Sequence, residues 1–452
     1  MITEKELDFV REALAIARRC GAQKARATLS KSEEDLVATL DGEVDRVTHC
    51  ADRSLSLALF VDGRFGSYST NKLEHAALEA FIARAVAATR ILAEDPCRDL
   101  PDPARCCRDA LSGNELGLVD PARAAVTPAE RRQAALEAAL LSASRAGEPL
   151  PQGTQAYRIV SEEGEYSDSC YDTVLMDTNG VCCRHSETSF DYGVEVTIES
   201  GGAKYSGYWW DAASQRAGLD SAGCGRKALE RAVGQIGSAP APGGRYTAVI
   251  DAETASKLVS PLLRALNAYS IQQNNSFLMD SLGRQRFPEG LTIVDAPRIP
   301  GQTCSKYFDS EGVATADAPI VEQGVVKQYF VNTYMANKMQ TAPTVEDATR
   351  PKLLPWPRAG LDRAAILAQC GSGILVTDFN GGNSNPVSGD FSYGIEGYLF
   401  EQGRIVRPVS GMLMTGNFLK LWSRLLFAGD DARPCQSKLI PTLAFAEVDF
   451  SG

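Results

Sequence analysis

Asn380-Gly381-Gly382-Asn383-Ser384-Asn385-Pro386-Val387-Ser388-Gly389-Asp390-Phe391-Ser392-Tyr393-Gly394-Ile395-Glu396-Gly397 is a dense run of glycine, asparagine, aspartate and aromatic residues. It lies between two strand-like stretches, Ile374-Leu375-Val376-Thr377 and Tyr398-Leu399-Phe400. Glycine at this density supplies positive φ angles and lets backbones approach closely. The run therefore predicts a shaped loop system rather than a helix or a random linker. On residue types alone two readings stand: an elaborate connection between strands with no ligand, or a rigid frame whose polar side chains meet one.

Around this run the chain is rich in strands. Ser238-Ala239-Pro240-Ala241-Pro242-Gly243-Gly244 reads as a linker. Beyond it Tyr246–Ile250 predicts a strand, Ala252–Asn267 a helix, and apolar runs between glycines predict further strands up to Leu443–Phe450. Thr415–Ala428 is the one later helical candidate. Residues 245–452 are thus expected to form a β-rich C-terminal domain with a large mixed sheet or barrel.

Upstream, Leu7, Val10, Leu14 and Ala17 fall at helical spacing, and Gly21 suits the helix end. Leu36–Leu40 leads into the hairpin dipeptide Asp41-Gly42. Leu55, Leu57 and Leu59 alternate with small polar residues, Asp62-Gly63 turns into Phe65–Ser69, and Leu73–Glu94 predicts a helix. Residues 1–96 read as an N-terminal α+β module. Residues 97–237 read as a second α+β segment. It opens with the Pro-, Asp- and Gly-rich stretch Cys97–Val126 and a helix over Pro128–Arg145, and strands resume after Gln152. A hairpin at Asn179-Gly180, the alternating Val194, Val196 and Ile198, an aromatic strand over Tyr205–Trp210 and a helix over Ala222–Ile236 complete it. The fold class is α+β: N-terminal α/β modules followed by the β-rich domain.

At 452 residues the chain exceeds one ordinary core, and 44% apolar with 23% charged residues fits a folded soluble protein. The charged N-terminal stretch predicts no secretory leader, and no run reaches the length of a membrane span, so a cytoplasmic location is expected. A net charge of −11, from 57 acidic and 46 basic residues, disfavours direct nucleic-acid binding. The twelve cysteines form no Cys-x-x-Cys and read mostly as small buried hydrophobes.

The chain has only three histidines, His49, His75 and His185. None has a second histidine or a cysteine at ligand spacing, so each reads as a surface or satisfied histidine rather than a zinc ligand. Nucleophile-elbow, Walker and dinucleotide motifs are absent. Adjacent acids such as Asp430-Asp431 read as solvated faces or caps, and Trp209-Trp210 with Tyr205 and Tyr208 as packing. The residues alone describe a protein without a self-sufficient catalytic site, whose unpaired strand edges suit an extended peptide.

Several stretches in one order resemble the TldD/PmbA family, also called modulators of DNA gyrase. They are Gly42–Val47, Leu59–Ser67, Ala93–Pro96, Ser276–Gly283, Phe308–Val313, Val321–Val326, and above all Asn385–Gly397 followed by Gly416-Asn417 and Ala428–Asp431. The resemblance is to the TldE/PmbA-like branch lacking the zinc motif. It implies a two-part fold and a cytoplasmic dimeric assembly, with a TldD-like subunit or as a homodimer, acting on small or unfolded peptides. Zinc is expected only on a TldD-type partner, because the corresponding helix here, Leu258-Val259-Ser260-Pro261-Leu262-Leu263-Arg264-Ala265, has neither histidine nor glutamate. Cys435 lies where TldD-type chains place a cysteine ligand, but its surroundings differ, and no metal or catalytic role is carried onto it. Val345–Lys352 also departs from the family's Gly/Ala-rich character. The residues expected to contact peptide are Asn385, Gly389, Asp390, Ser392 and Tyr393. The alternative function is a non-enzymatic interaction protein in gyrase-linked regulation.

Overall fold

The computed structural model describes residues 1–145, 147 and 156–452. Helix α1 (Glu4–Arg19) starts at a capping box in which Thr3 and Glu6 satisfy each other's backbone N–H groups. Strands β1 (Lys24–Leu40), β2 (Glu43–Val61) and β3 (Arg64–Thr70) follow, then α2 (His75–Thr89). The two hairpins turn on Asp41-Gly42 and Asp62-Gly63, all four residues having positive φ as such two-residue turns require. After α3 (Pro128–Ala138) and α4 (Leu140–Arg145) come β4 (Arg158–Asp177), β5 (Cys182–Ser200), β6 (Ala203–Ala213) and α5 (Cys224–Gly234).

These six strands form one sheet in the order β3-β2-β1-β4-β5-β6, because β1 pairs with β4 along nearly its whole length. Alternation gives the sheet two faces. Ala25, Ala27, Leu29, Leu55, Leu57, Leu59 and Val174 are buried under α1 and α2, and Tyr166, Tyr192, Val194, Val196 and Ile198 pack with α5. The opposite face carries Thr28, Thr173 and His185 and lies against the C-terminal half.

That half contains β7 (Gly244–Ile250), α6 (Ala252–Ala265), α7 (Ala268–Gln272), β8 (Ile293–Asp295), β9 (Ala318–Glu322), β10 (Val325–Val326), α8 (Thr333–Met339), β11 (Pro351–Leu353) and α9 (Arg363–Cys370). Then come β12 (Gly373–Ser384), β13 (Asp390–Glu401), β14 (Arg404–Asn417), α10 (Phe418–Trp422), β15 (Leu425–Ala428) and β16 (Leu443–Ser451). β14, β13, β12, β7 and β16 are neighbours in that order, and β14 pairs back onto β16, closing a five-stranded barrel with β15 outside it. β7 and β12 are parallel and the other barrel pairs antiparallel, so the barrel is mixed. Ile250, Val376, Ile395, Met414, Phe445 and α6 fill the largest core.

Four expectations change. The glycine-rich run is mostly strand: β12 extends to Ser384 and β13 begins at Asp390. Its glycines mark bulges and close approaches; a Cβ on Gly382 would lie 2.1 Å from the Ser392 carbonyl oxygen. Only Phe418–Trp422 of the Thr415–Ala428 candidate is helical, since Thr415 still pairs with β13 and Leu425–Ala428 pairs with β16. The helix over Pro128–Arg145 breaks at Ala139, which is extended, and the N–H groups of Leu140 and Leu141 turn to the Glu162 carboxylate. The helix expected to reach Glu94 stops at Thr89. Gln152 lies outside the described residues, and β4 begins at Arg158.

Candidate functional site

The five residues expected to contact peptide sit on the β12–β13 hairpin, but they do different things. Asn385 shapes the turn: its Oδ1 accepts from Val387 N at 2.9 Å, and its carbonyl accepts from Gly389 N at 2.8 Å. Gly389 is buried, has φ +78°, and its carbonyl accepts from Phe418 N at 2.8 Å, tying the tip to α10. Asp390 is exposed. Its oxygens accept from Asn417 Nδ2 at 2.9 Å and the Ser388 hydroxyl at 2.7 Å. These two hydrogen bonds, Asn417's first, hold its carboxyl below the ordinary value. Tyr393 stacks on Phe391 at 5.3 Å and packs on Phe379 at 5.2 Å, and Ser392, between Phe391 and Tyr393 in sequence, is half-buried on the other face of the strand. The structure therefore gathers Asn385, Gly389 and Asp390 at a rigid tip and sets Tyr393 in an aromatic cluster beneath it. No strand pairs with the outer edge of β12 from Asp378 to Ser384 among the described residues, because β7 covers only Ile374–Val376.

A second feature was not expected. Between the open face of the six-stranded sheet and the C-terminal half lies a cleft of about 690 Å³. Arg26, Thr28, Tyr171, Thr173, His185 and Glu187 line the sheet side. Two loops line the other, with Cys304, Lys306, Asp309 and Ser310 on one and Glu346 and Asp347 on the next. Asp309 accepts from the N–H groups of Glu311 and Val313 at 2.9 Å and of Glu346 at 3.2 Å. Burial first, and then the charge of Glu346, push its carboxyl up to about 7. Burial acts to raise Glu187, but the neighbouring His185 and Lys306 outweigh it and hold that carboxyl low. Cys304 shares the cleft with His185, yet burial and then Glu187 raise its thiol, which disfavours the nucleophilic thiolate. The sequence carries only the polar alternation of Tyr171/Thr173 and His185/Glu187 on two strands, which equally fits a solvated face and does not by itself locate the cleft.

The third region concerns metal ligands. Leu258, Val259 and Leu262 of α6 are buried in the barrel core at 0–1% exposure. Zinc requires imidazole, thiolate or carboxylate donors, and neither these side chains nor Ser260, Pro261, Leu263 and Arg264 on the rest of Leu258–Ala265 offer one, so this segment does not fit the ion. Cys435 is half-buried, and its thiol is pushed up to about 11, chiefly by burial. It lies beside Arg433, which pairs with Glu253 and stacks on Trp209 and Trp210 at 4.4 and 5.0 Å. One trio of potential ligands, Glu33, Asp35 and His49, converges within 4.8 Å. A bulge between Ala38 and Thr39 shifts the β1–β2 register so that Asp35 faces His49. Arg123 and Arg131 already sit 3.2 and 2.9 Å from Asp35, and their positive charge opposes a cation there.

A long antiparallel sheet joined to a closed mixed barrel gives the chain a two-part architecture, and the family comparisons follow that division. Family models of PmbA/TldA metallopeptidases match in chain order: domain 1 over residues 25–89, the central domain over 124–236 and the C-terminal domain over 243–452. The chain belongs to the PmbA/TldD family. The metalloprotease PmbA of Escherichia coli O157:H7 is 27% identical over 98% of this chain and 97% of its own length. A Bacteroides thetaiotaomicron protein named as a modulator of DNA gyrase is 36% identical, with a TM-score of 0.93 over the whole of both chains. TldE from Thermococcus kodakarensis shares the fold at 16% identity, with a TM-score of 0.83 over 98% of this chain and all of its own. No helix among the described residues is long and apolar enough to cross a membrane.

Proposed function

We propose that this chain is the non-metal, PmbA/TldE-like subunit of a cytoplasmic zinc peptidase complex that processes small or unfolded peptides. One observation supports the reading: Leu258–Ala265 of α6, the segment that the resemblance sets against the family's metal helix, has buried Leu258, Val259 and Leu262 on its core side and Ser260, Pro261, Leu263 and Arg264 elsewhere, with no histidine or carboxylate among them. Such a chain supplies shape and peptide contacts, and a TldD-type partner supplies the zinc. The contact surface is the hairpin tip with Asn385, Gly389, Asp390, Ser392 and Tyr393, next to the unpaired edge of β12. An extended peptide laid along that edge gains backbone hydrogen bonds whatever its sequence, which suits an unfolded substrate. Asp390 stays ionised and keeps acceptor capacity for peptide N–H groups.

The test is reconstitution with a TldD-type partner. Cleavage of an unfolded peptide should appear only in the mixture, and Asp390→Ala with Tyr393→Ala should lower kcat/KM by about tenfold or more while the complex stays assembled. Cleavage by this chain alone with stoichiometric metal overturns the reading. So does an inactive mixture in which this chain instead captures a gyrase-linked regulator.

A further inference from the structure

Beside the Glu187–His185 pair, the cleft carries further charges of both signs with no opposite charge within ion-pair distance among the described residues. On the acidic side, the hydrogen bonds of Asp309, Glu346 and Asp347 all come from neutral donors. Asp309 takes three backbone N–H groups, Glu346 takes the N–H and hydroxyl of Ser310 at 2.7 and 2.6 Å, and Asp347 takes Asn267 Nδ2 at 2.9 Å. On the basic side, Arg26 and Lys306 line the same cleft; neither has a carboxylate within ion-pair distance among the described residues, although the charge of Lys306 is felt by Glu187 and that of Arg26 by Asp177. His185 is 6% exposed and lines the cleft too. Its Nε2 has no hydrogen-bond partner among the described residues; Glu187 is 3.4 Å away but off the axis a hydrogen bond needs.

Two half-buried carboxylates without a cation, Asp309 and Glu346, and a buried imidazole nitrogen without a hydrogen-bond partner are costly unless something else meets them; Asp347 is exposed. The acids do not converge as metal ligands do: the one such trio among the described residues is Glu33, Asp35 and His49, elsewhere on the sheet. The cavity's size is that of a small-molecule site. A ligand that compensates both signs at once carries a cation at one end and an anion at the other.

We propose that this cleft binds a short peptide with free ends. Its α-ammonium is taken by the adjacent Asp309 and Glu346, with Asp347 adding negative charge from further off, its terminal carboxylate by Lys306 or Arg26, and His185 Nε2 hydrogen-bonds its backbone. The site rests on the reading of this chain as a peptide-handling subunit and adds to it a preference for chain termini, set by this chain rather than by the metal-bearing partner.

The test is calorimetry on the full chain alone, with tetra-alanine and its N-acetyl and C-amide forms as probes. The free peptide should bind, and N-acetylation should weaken it about tenfold, the size of a charge-assisted hydrogen bond. Glu346→Gln keeps both Ser310 contacts and should weaken the free peptide by a similar factor while leaving the N-acetyl form unchanged. Lys306→Met, at an exposed position that does not threaten folding, should weaken the free peptide but not the C-amide. Equal binding of all three probes, or no binding at millimolar peptide, overturns the site. Because no partner is present, that failure is separate from failure of partner-dependent cleavage.

Discussion

Asp309 is the group through which pH should reach the stability of this protein. Its carboxyl is pushed from an ordinary 3.8 up to about 7, first by burial and second by Glu346. Between those values the folded chain holds a proton that the unfolded chain releases. The contribution of this group to stability is therefore fully present below the lower value and falls as pH rises toward 7, at about 1.4 kcal/mol per pH unit. Once pH passes 7, ionised Asp309 works against folding by about 4 kcal/mol relative to its protonated state. Asp309→Asn removes the titration. The substituted side chain still offers an oxygen to Glu311 and Val313, but its amide faces the Glu346 N–H, a cost that does not vary with pH. Urea unfolding at half-unit steps from pH 5 to 8 should show the wild-type curve descending against that of Asp309→Asn up to about pH 7 and running parallel beyond. Glu346→Gln, which removes the second cause, should end the descent at lower pH. Parallel curves for wild type and Asp309→Asn throughout would refute the argument.

Two further perturbations follow from single sites. Asp168 is fully buried and accepts from Arg123 Nε at 2.9 Å and Arg131 Nε at 2.6 Å, so Asp168→Asn takes the buried partner from two guanidinium groups that keep only Asp35, and for Arg123 Glu33, at a cost of about 3 kcal/mol, the low end for a broken buried pair. Thermal unfolding of the six-stranded-sheet unit should drop by on the order of 10 °C, and a drop under about 2 °C would contradict the assigned pairing. Gly389→Ala forces a side chain onto φ +78° with its Cβ 3.0 Å from the Phe277 ring, costing about 1–2 kcal/mol. Amide exchange at Phe418, whose N–H donates to Gly389, should quicken, and unchanged protection would remove the role given to this glycine.

Much of the fold was legible where the cause is local. Asp41-Gly42 and Asp62-Gly63 announce their hairpins because few other pairs take two positive φ values, and Leu55, Leu57 and Leu59 announce a strand with one buried face. What stayed hidden depends on pairing between distant segments. Thr415–Ala428 reads as helix by propensity, but the β13 and β16 ladders claim its two ends. The hairpin residues were legible as a group, whereas their division of labour was not: Asn417 locks Asp390 only because β13 and β14 set those residues opposite one another. His185 read as a satisfied histidine. Its unpartnered nitrogen is visible only once the loops carrying Asp309 and Glu346 are folded over the sheet. His49 shows the same limit on a smaller scale, since a single bulge decides which residue it faces.

The closure of the barrel by β16 has a kinetic consequence. β7 leads the C-terminal half, yet one of its edges is completed only by β16, with Ile250 opposite Leu443, and the same strand joins β14 through Leu413 and Ser451. Contacts of such sequence separation must be reached by diffusion of a long unfolded loop, which places this half among slow, high-contact-order folders. During synthesis Val249 and Ile250 wait, apolar and unpaired on that side, until the rest of the barrel has been made. The interval before closure is when this protein is most open to aggregation, and most dependent on being held apart from other chains.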